Sequence, residues 1–221
     1  MKPKDSEHIY TDEVDYDQTS AESVWGTEDQ ATLDLLAKTK ISGHWLNLCA
    51  GDGRFNNYLL SRASRLTALD VDESALRKLV RIAPNDFRKK LDIIVANIVK
   101  PLPFANHTYD GVFCVGTLHL FPRSIFTKIL AEVDRVLRPG GEILIDFATD
   151  IKRVLPDNSL WVIGSEPSYT LAEARSFLEN AFADYRVEIT EDRVEPERLT
   201  VGDKIYTFSC NFLVVNAKKA A

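Results

Sequence analysis

Short apolar runs alternate with amphipathic stretches over the middle of the chain. Runs such as HWLNLC, DIIVA and EILIDF are five or six residues long and are followed by turn residues. Strands that are buried on both faces have continuous apolar runs, and the segments between these runs have helical periodicity. The pattern therefore predicts parallel strands joined by helices. The predicted strands are 44–49, 65–69, 92–96, 111–115 and 142–147, and the predicted helices are 27–39, 54–62, 73–82 and 124–137.

The pattern changes after residue 147. Residues 148–168 are rich in turn formers and predict an irregular segment, and Thr170 with Glu173 forms a capping box that begins a helix over 170–183. Two β-rich stretches follow, joined by a charged segment that predicts a long connection; they are 185–190 and 206–215. The 221 residues fit one domain of this kind. The predicted fold class is α/β, a doubly wound, seven-stranded, mostly parallel sheet with a C-terminal antiparallel hairpin.

The N-terminal residues form a separate acidic segment. Residues 1–22 carry seven acidic side chains against two lysines, so this segment holds −5 of the net charge of −6. It also contains Tyr10 and Tyr16, and Trp25 follows closely. We interpret residues 1–26 as a mobile acidic segment or lid and residues 27–221 as the domain. A solvated tail with exposed aromatic residues is the alternative.

Composition narrows the class of protein further. No apolar run is long enough to span a membrane, and no apolar leader is present at the N-terminus. The three cysteines are not spaced as pairs, which favours buried thiols and a cytoplasmic location. The four histidines have no metal-ligand spacing, so we expect no metal site. Because the chain beyond the acidic segment is almost neutral, nucleic acid is a disfavoured partner.

The segment after the first predicted strand has the features of a ligand-binding loop. Gly51 and Gly53 stand between a strand and a helix, where glycine permits a tight turn and close approach of a ligand to the backbone. Asp70 closes the next strand, 17 residues after Gly53. A carboxylate at that place suits ribose hydroxyls, whereas Asp72 is placed to cap the following helix.

A nicotinamide dinucleotide is a poorer fit than a ribose ligand that lacks phosphate. The dinucleotide fingerprint requires a third glycine, and Asn56 stands in its place. Asp52 within the loop would also repel a pyrophosphate.

Five segments in order resemble the motifs of class I S-adenosylmethionine-dependent methyltransferases. They are LNLCAGDGRF, LTALDVDESAL, VANIVKPLPF, YDGVFCVGTLHLF and ILAEVDRVLRPGGEILIDF, within roughly residues 27–150. The resemblance implies a Rossmann-like methyltransferase fold, the cofactor S-adenosyl-L-methionine and the product S-adenosyl-L-homocysteine. It also implies a set of cofactor-binding residues: Asn47, Cys49, Ala50, Gly51, Gly53, Asp70, Val71, Asn97, Ile98 and Val115.

The chain departs from the family pattern at three positions. Cys49 replaces the first glycine of the loop, and Asn47 and Asn97 replace acidic residues. These departures weaken the polar contacts to the cofactor and leave open a member that binds the cofactor without catalysis.

The implied function is transfer of a methyl group to a small-molecule acceptor. The alternatives are a non-catalytic cofactor-binding module and a methyltransferase that acts on protein or RNA. His119 follows the fourth strand and is the candidate general base, with a packing role as its alternative. Tyr10, Tyr16, Trp25 and Trp161 are candidates for contact with substrate or for closing the site. The oligomeric state and the acceptor are not determined by the sequence.

Overall fold

The computed structural model describes residues 14–26, 29–163, 166–201 and 204–221. Within these ranges the chain forms one seven-stranded sheet with helices on both faces. The strands are β1 His44–Leu48, β2 Arg65–Asp70, β3 Leu91–Val95, β4 Tyr109–Cys114, β5 Leu137–Val154, β6 Tyr185–Val201 and β7 Lys204–Lys219. The helices are α1 Gln30–Lys38, α2 Asn56–Arg62, α3 Glu73–Ile82, α4 Arg123–Val136 and α5 Leu171–Ala181.

The strand order is β3-β2-β1-β4-β5-β7-β6. The first five strands in this order are parallel, and β7 runs antiparallel to both β5 and β6. This confirms the predicted doubly wound sheet with its antiparallel C-terminal hairpin. Because the chain order reverses at β1 and β4, the carboxyl ends of these two strands border the crevice in which α/β folds bind ligands.

The core is divided by the sheet into two layers. Apolar side chains of α4 and α5, such as Phe126 and Leu178, pack on one face, whereas Leu36 of α1 and Leu59 of α2 pack on the other. A third cluster contains Leu76 and Leu79 of α3. The inner parallel strands β2, β1 and β4 are covered on both faces, which explains their continuous apolar runs, whereas the edge strand β3 leaves Ile93 and Val95 exposed.

The helix caps agree with the sequence in two places and differ in one. Thr170 and Glu173 form the predicted capping box of α5, and Asp72 caps α3 as predicted. Helix α1 is capped by Asp29, whose side chain accepts a hydrogen bond from the backbone of Thr32. The predicted cap, Thr27, lies outside the described residues.

The antiparallel strands are much longer than the sequence predicted. β5 does not end at residue 147 but continues to Val154, and the segment 191–205, expected to be a connection, belongs largely to β6 and β7. β6 is an edge strand, and its register with β7 shifts around Pro196. The apolar pattern underestimated these strands because their outer parts are solvent-exposed and need no apolar run. We call the part of β5 beyond residue 149, with the paired ends of β6 and β7, the arm.

Candidate active site

The turn after β1 has a backbone that requires unusual conformations at three residues. Cys49, Gly51 and Gly53 have φ values of 58°, 51° and 89°, all in the left-handed region. A Cβ on Gly51 would meet nothing within 4 Å, so this residue borders open space. A Cβ on Gly53 would lie 2.9 Å from the side chain of Leu79, so this glycine allows α3 to pack closely. Cys49 adopts a conformation that costs a non-glycine residue strain, which is the physical reason a glycine is favoured there.

Asp70 lies at the tip of β2, directly beside this turn. Its Oδ2 accepts the backbone N–H of Gly51 at 2.8 Å, and its Oδ1 accepts the N–H of Asp72 at 2.9 Å. Burial raises the pKa of this carboxyl, and the backbone hydrogen bonds oppose the rise. Each oxygen keeps a second lone pair for a further donor. The carboxylate thus fixes the glycine loop and presents acceptors at the edge of the open space.

The residues at the ends of β2 and β3 lie on the same side of Asp70. Val71 and Asn97 are half-buried, and Ile98 is buried. The side-chain oxygen of Asn97 accepts the backbone N–H of Val99 at 3.0 Å. The backbone N–H of Ala96 donates to the carbonyl of Asp70, so the two loops are held together.

Asn47 is buried within β1 and contacts the start of α2. Its side-chain amide donates to Oδ1 of Asn56 at 2.6 Å, and Nδ2 of Asn56 is buried without a hydrogen-bond partner. Ala50 is also buried, whereas Cys49 is half-buried.

The end of β4 forms the other border of the open space. Val115 is half-buried, and the exposed Gly116 has a φ of 72° with nothing within 4 Å of an added Cβ. The N–H of Gly116 donates to Oδ1 of Asp146 on β5 at 2.7 Å. Asp146 is only 4% exposed, and burial raises its pKa to about 7. The sequence analysis did not identify Asp146, although an acidic residue inside the apolar run EILIDF was a signal.

His119 lies in the turn after β4, on the other face of the sheet from Asp146. It is 8% exposed, and its ring packs edge-on against Phe147 with centroids 6.3 Å apart. Burial, with a smaller contribution from Arg153, lowers its pKa to about 3. Nδ1 is buried without a hydrogen-bond partner. The imidazole is therefore neutral at pH 7 and binds a proton weakly there.

The N-terminal segment is docked against the glycine loop and α3. Oδ1 of Asp52 accepts the hydroxyl of Ser23 at 2.8 Å, and Oδ2 accepts the N–H of Val24 at 2.9 Å. Nζ of Lys78 lies 2.9 Å from the same carboxylate and also donates to the carbonyl of Glu22. We call residues 14–26 the strap. Asp52 therefore does not face a ligand, and the expectation that it would repel a phosphate was wrong.

The acidic character of the strap matches the basic face of α3. Tyr16 is 3% exposed, with its ring 5.7 Å from Nζ of Lys78, and Asp17 pairs with Arg77 at 2.7 Å. Trp25 is 45% exposed and donates through Nε1 to the hydroxyl of Tyr16. Tyr10 lies outside the described residues. The described part of the acidic segment, the strap, is thus packed against α3 and the glycine loop, and its role as a lid stays a prediction.

Trp161 lies on the arm, away from the glycine loop. Its ring meets Tyr206 edge-on at 5.0 Å, and its N–H donates to the carbonyl of Arg153 at 2.8 Å. Arg153 forms a buried, two-pronged ion pair with Glu166. This pair holds the irregular segment after β5 against the arm, and no spacing in the sequence indicates it.

The described residues fit the cofactor that the sequence resemblance implies. Gly51 and Gly116 border open space that side chains would narrow, and Asp70 presents carboxylate oxygens beside it. The structure brings the predicted cofactor residues to one edge of the sheet. His119 and Trp161 lie apart from them, towards α4 and the arm. Within the described part of the chain, no helix is long and apolar enough to cross a bilayer, and no group of three side chains suits a metal ion.

Comparison with known proteins gives consistent results. The methyltransferase domain family matches residues 46–141. A fatty-acid O-methyltransferase of Mycolicibacterium smegmatis is 32% identical over 165 aligned positions, and the match covers 70% of this chain and 56% of that protein. The chain spans between 30% and 56% of the length of the first curated relatives that it matches.

Solved structures match over most of the chain. A protein of Pyrococcus horikoshii OT3 has a TM-score of 0.64 and 21% identity, and the match covers 99% of this chain and 100% of that one. The Burkholderia thailandensis 1,6-didemethyltoxoflavin-N1-methyltransferase, solved with its substrate and S-adenosylhomocysteine, has a TM-score of 0.56 and 20% identity, with coverage of 87% and 78%. The family match over residues 46–141 and the curated relatives assign this domain to the class I S-adenosylmethionine-dependent methyltransferases, and the strand order agrees with that assignment. The cofactor of this class is S-adenosyl-L-methionine.

Proposed function

We propose that the protein transfers a methyl group from S-adenosylmethionine to a small-molecule acceptor. The main observation in support is the position of the Asp70 carboxylate. It is oriented by hydrogen bonds from the backbone N–H groups of Gly51 and Asp72, and it lies beside open space with acceptor capacity left for a ligand. A carboxylate held in this way suits the two ribose hydroxyls of an adenosyl ligand.

The predicted cofactor residues take distinct roles in this proposal. Asp70 holds the ribose, Val71, Asn97 and Ile98 border the adenine, and the glycine loop with Val115 borders the methionine portion. Asn47 orients the loop through its contact with Asn56, and Cys49 and Ala50 shape its backbone. When bound, the cofactor supplies an activated methyl group on a sulfonium, so the chain itself needs to orient the acceptor and exclude water.

Small acceptors are favoured over macromolecules by charge and enclosure. The strap adds acidic side chains near the glycine loop, which disfavours polyanions such as RNA. The relatives support the proposal, since one is named as acting on fatty acids and another on a toxoflavin precursor. His119 stays a candidate in this scheme as a neutral hydrogen-bonding group near the acceptor, because its low pKa makes it a weak base at pH 7.

Binding and transfer are tested in sequence. S-adenosylhomocysteine should bind in calorimetry, and at 100 times its dissociation constant it should stabilise the fold by about 2.7 kcal/mol, whereas NAD should do neither. Labelled S-adenosylmethionine should then transfer its methyl group to a member of a panel of small amines, alcohols and acids. Transfer to RNA or protein alone would contradict the small acceptor. Binding without transfer to any extract fraction would favour the non-catalytic module.

A further inference from the structure

Asp146 is a charged group placed where a fold normally buries an apolar side chain. It lies between Leu144 and Ala148 on an otherwise apolar face of β5, and it is only 4% exposed. Burying a carboxyl without compensation is costly, and the compensation here comes only from backbone N–H groups, those of Gly116 and of Asp146 itself. Among the described residues no side chain donates a hydrogen bond to this carboxyl.

Asp146 lies beside the carboxyl end of β4, next to residues that border the cofactor space. Gly116, its hydrogen-bond donor, is exposed and borders open space at the carboxyl end of β4. Arg54, which follows the glycine loop, interacts electrostatically with Asp146 and has a buried Nε without a hydrogen-bond partner. Two charged side chains from different elements thus meet at this edge, and Nε of Arg54 has no hydrogen-bond partner there.

We propose that Asp146 contacts the methyl acceptor and receives a hydrogen bond from its N–H or O–H group. This inference rests on the proposed function and names the acceptor class as amines or hydroxyl compounds. A carboxylate or phosphate acceptor would place a second anion against Asp146 and is disfavoured.

The titratable thiols around Asp146 do not change charge near pH 7, so a pH dependence in that range can be attributed to Asp146. Asp29 from the cap of α1 and Arg54 face it from one side, and the thiols of Cys114 on β4 and Cys210 on β7 face it from the sheet. Burial raises the pKa of Cys210 to about 12, and its contact with Cys49 raises the pKa of Cys114, so both thiols stay neutral near pH 7.

The test uses sinefungin, a cofactor analogue that carries a primary amine where the cofactor carries its methyl group. Its amine should donate to Asp146, and S-adenosylhomocysteine, which lacks the amine, is the reference ligand. We expect calorimetry to show an affinity ratio that favours sinefungin about tenfold at about pH 8, the worth of a hydrogen bond to a charged group. The ratio should fall at about pH 6, where a carboxyl with a pKa of about 7 is mostly protonated.

Asp146→Asn should abolish the preference and its pH dependence while leaving the affinity for S-adenosylhomocysteine unchanged. Asp92→Asn, which removes an exposed carboxylate at the amino end of β3, is the matched control and should behave as the wild type. An unchanged ratio in Asp146→Asn would overturn the inference. If that variant does not fold, a ratio in the wild type that is constant across this pH range would overturn it as well. Failure of the wild type to bind either ligand would overturn the proposed function together with this inference.

Discussion

The described residues contain two buried ion pairs that connect different parts of the molecule, one at the glycine loop and one at the arm. Asp52 and Lys78 tie the strap to the glycine loop and α3, so they stabilise the wall of the cofactor space. Arg153 and Glu166 tie an irregular segment to the arm, beyond the parallel sheet. The first pair is fully buried, whereas the second keeps slight exposure. The molecule can therefore be treated as two halves, the cofactor half around the glycine loop and the arm. We expect that a change in the arm alters stability without altering the affinity for the cofactor.

The largest expected effect comes from removing the cation of the strap. Lys78→Met leaves Asp52 buried and uncompensated, which should lower the free energy of unfolding by about 3–5 kcal/mol. Because Asp52 also holds Ser23 and Val24, the affinity for S-adenosylhomocysteine should fall too. Denaturant unfolding and calorimetry measure both quantities. Arg77→Met, which breaks an exposed pair with Asp17, is the control and should leave both quantities close to the wild type because exposed ion pairs contribute little.

The equivalent change in the arm should affect stability alone. Glu166→Gln leaves the Arg153 guanidinium with a weaker partner and should lower the free energy of unfolding by about 2–3 kcal/mol. The affinity for S-adenosylhomocysteine should stay within twofold of the wild type. A parallel loss of affinity would contradict the independence of the two halves.

Within the cofactor half, Asp70 should contribute more to binding than to folding. Asp70→Asn weakens acceptance of ribose hydroxyls and should reduce the affinity for S-adenosylhomocysteine about tenfold or more, the worth of a charged hydrogen bond. Asp72→Ala should instead cost about 1 kcal/mol of stability through loss of the α3 cap, with no change in affinity. Equal affinities for Asp70→Asn and the wild type would remove Asp70 from the site.

The effect that is smallest at neutral pH is a pH dependence on the arm side, which emerges only below about pH 6.5. Burial lowers the pKa of His119 from 6.5 to about 3, so the unfolded chain binds a proton below pH 6.5 that the folded chain excludes. Stability should therefore fall as the pH drops from about 6.5 towards 3, by up to about 1.4 kcal/mol per pH unit. His119→Gln should flatten this part of the profile in denaturant unfolding. An identical profile for the variant would show that the folded histidine titrates normally.

The parallel half of the fold could be predicted because local chemistry and global position agree there. The inner parallel strands are covered on both faces and end at turns, so apolar runs and turn residues mark their limits. Asp70 could be identified because its role depends on distance along the chain from Gly53.

The strap and the arm could not be predicted in the same way. Asp52 and Lys78 are 26 residues apart and meet only in the folded chain, although a lysine on the apolar face of α3, beside Leu79, was a signal of a buried partner. The arm's strands are exposed, so charged residues and Pro196 resemble those of a loop.

Strand β6 also affects how molecules of this protein behave towards each other. An edge strand of 17 residues presents unpaired backbone groups that could template pairing with a second chain. Its sequence, YRVEITEDRVEPERLTV, places charges along its length, and Pro196 removes a backbone donor where the register shifts. A second strand added there would have to bring charges together and cross an irregular ladder. The charged residues and Pro196, which made β6 resemble a loop in the sequence, therefore protect the protein against edge-to-edge aggregation.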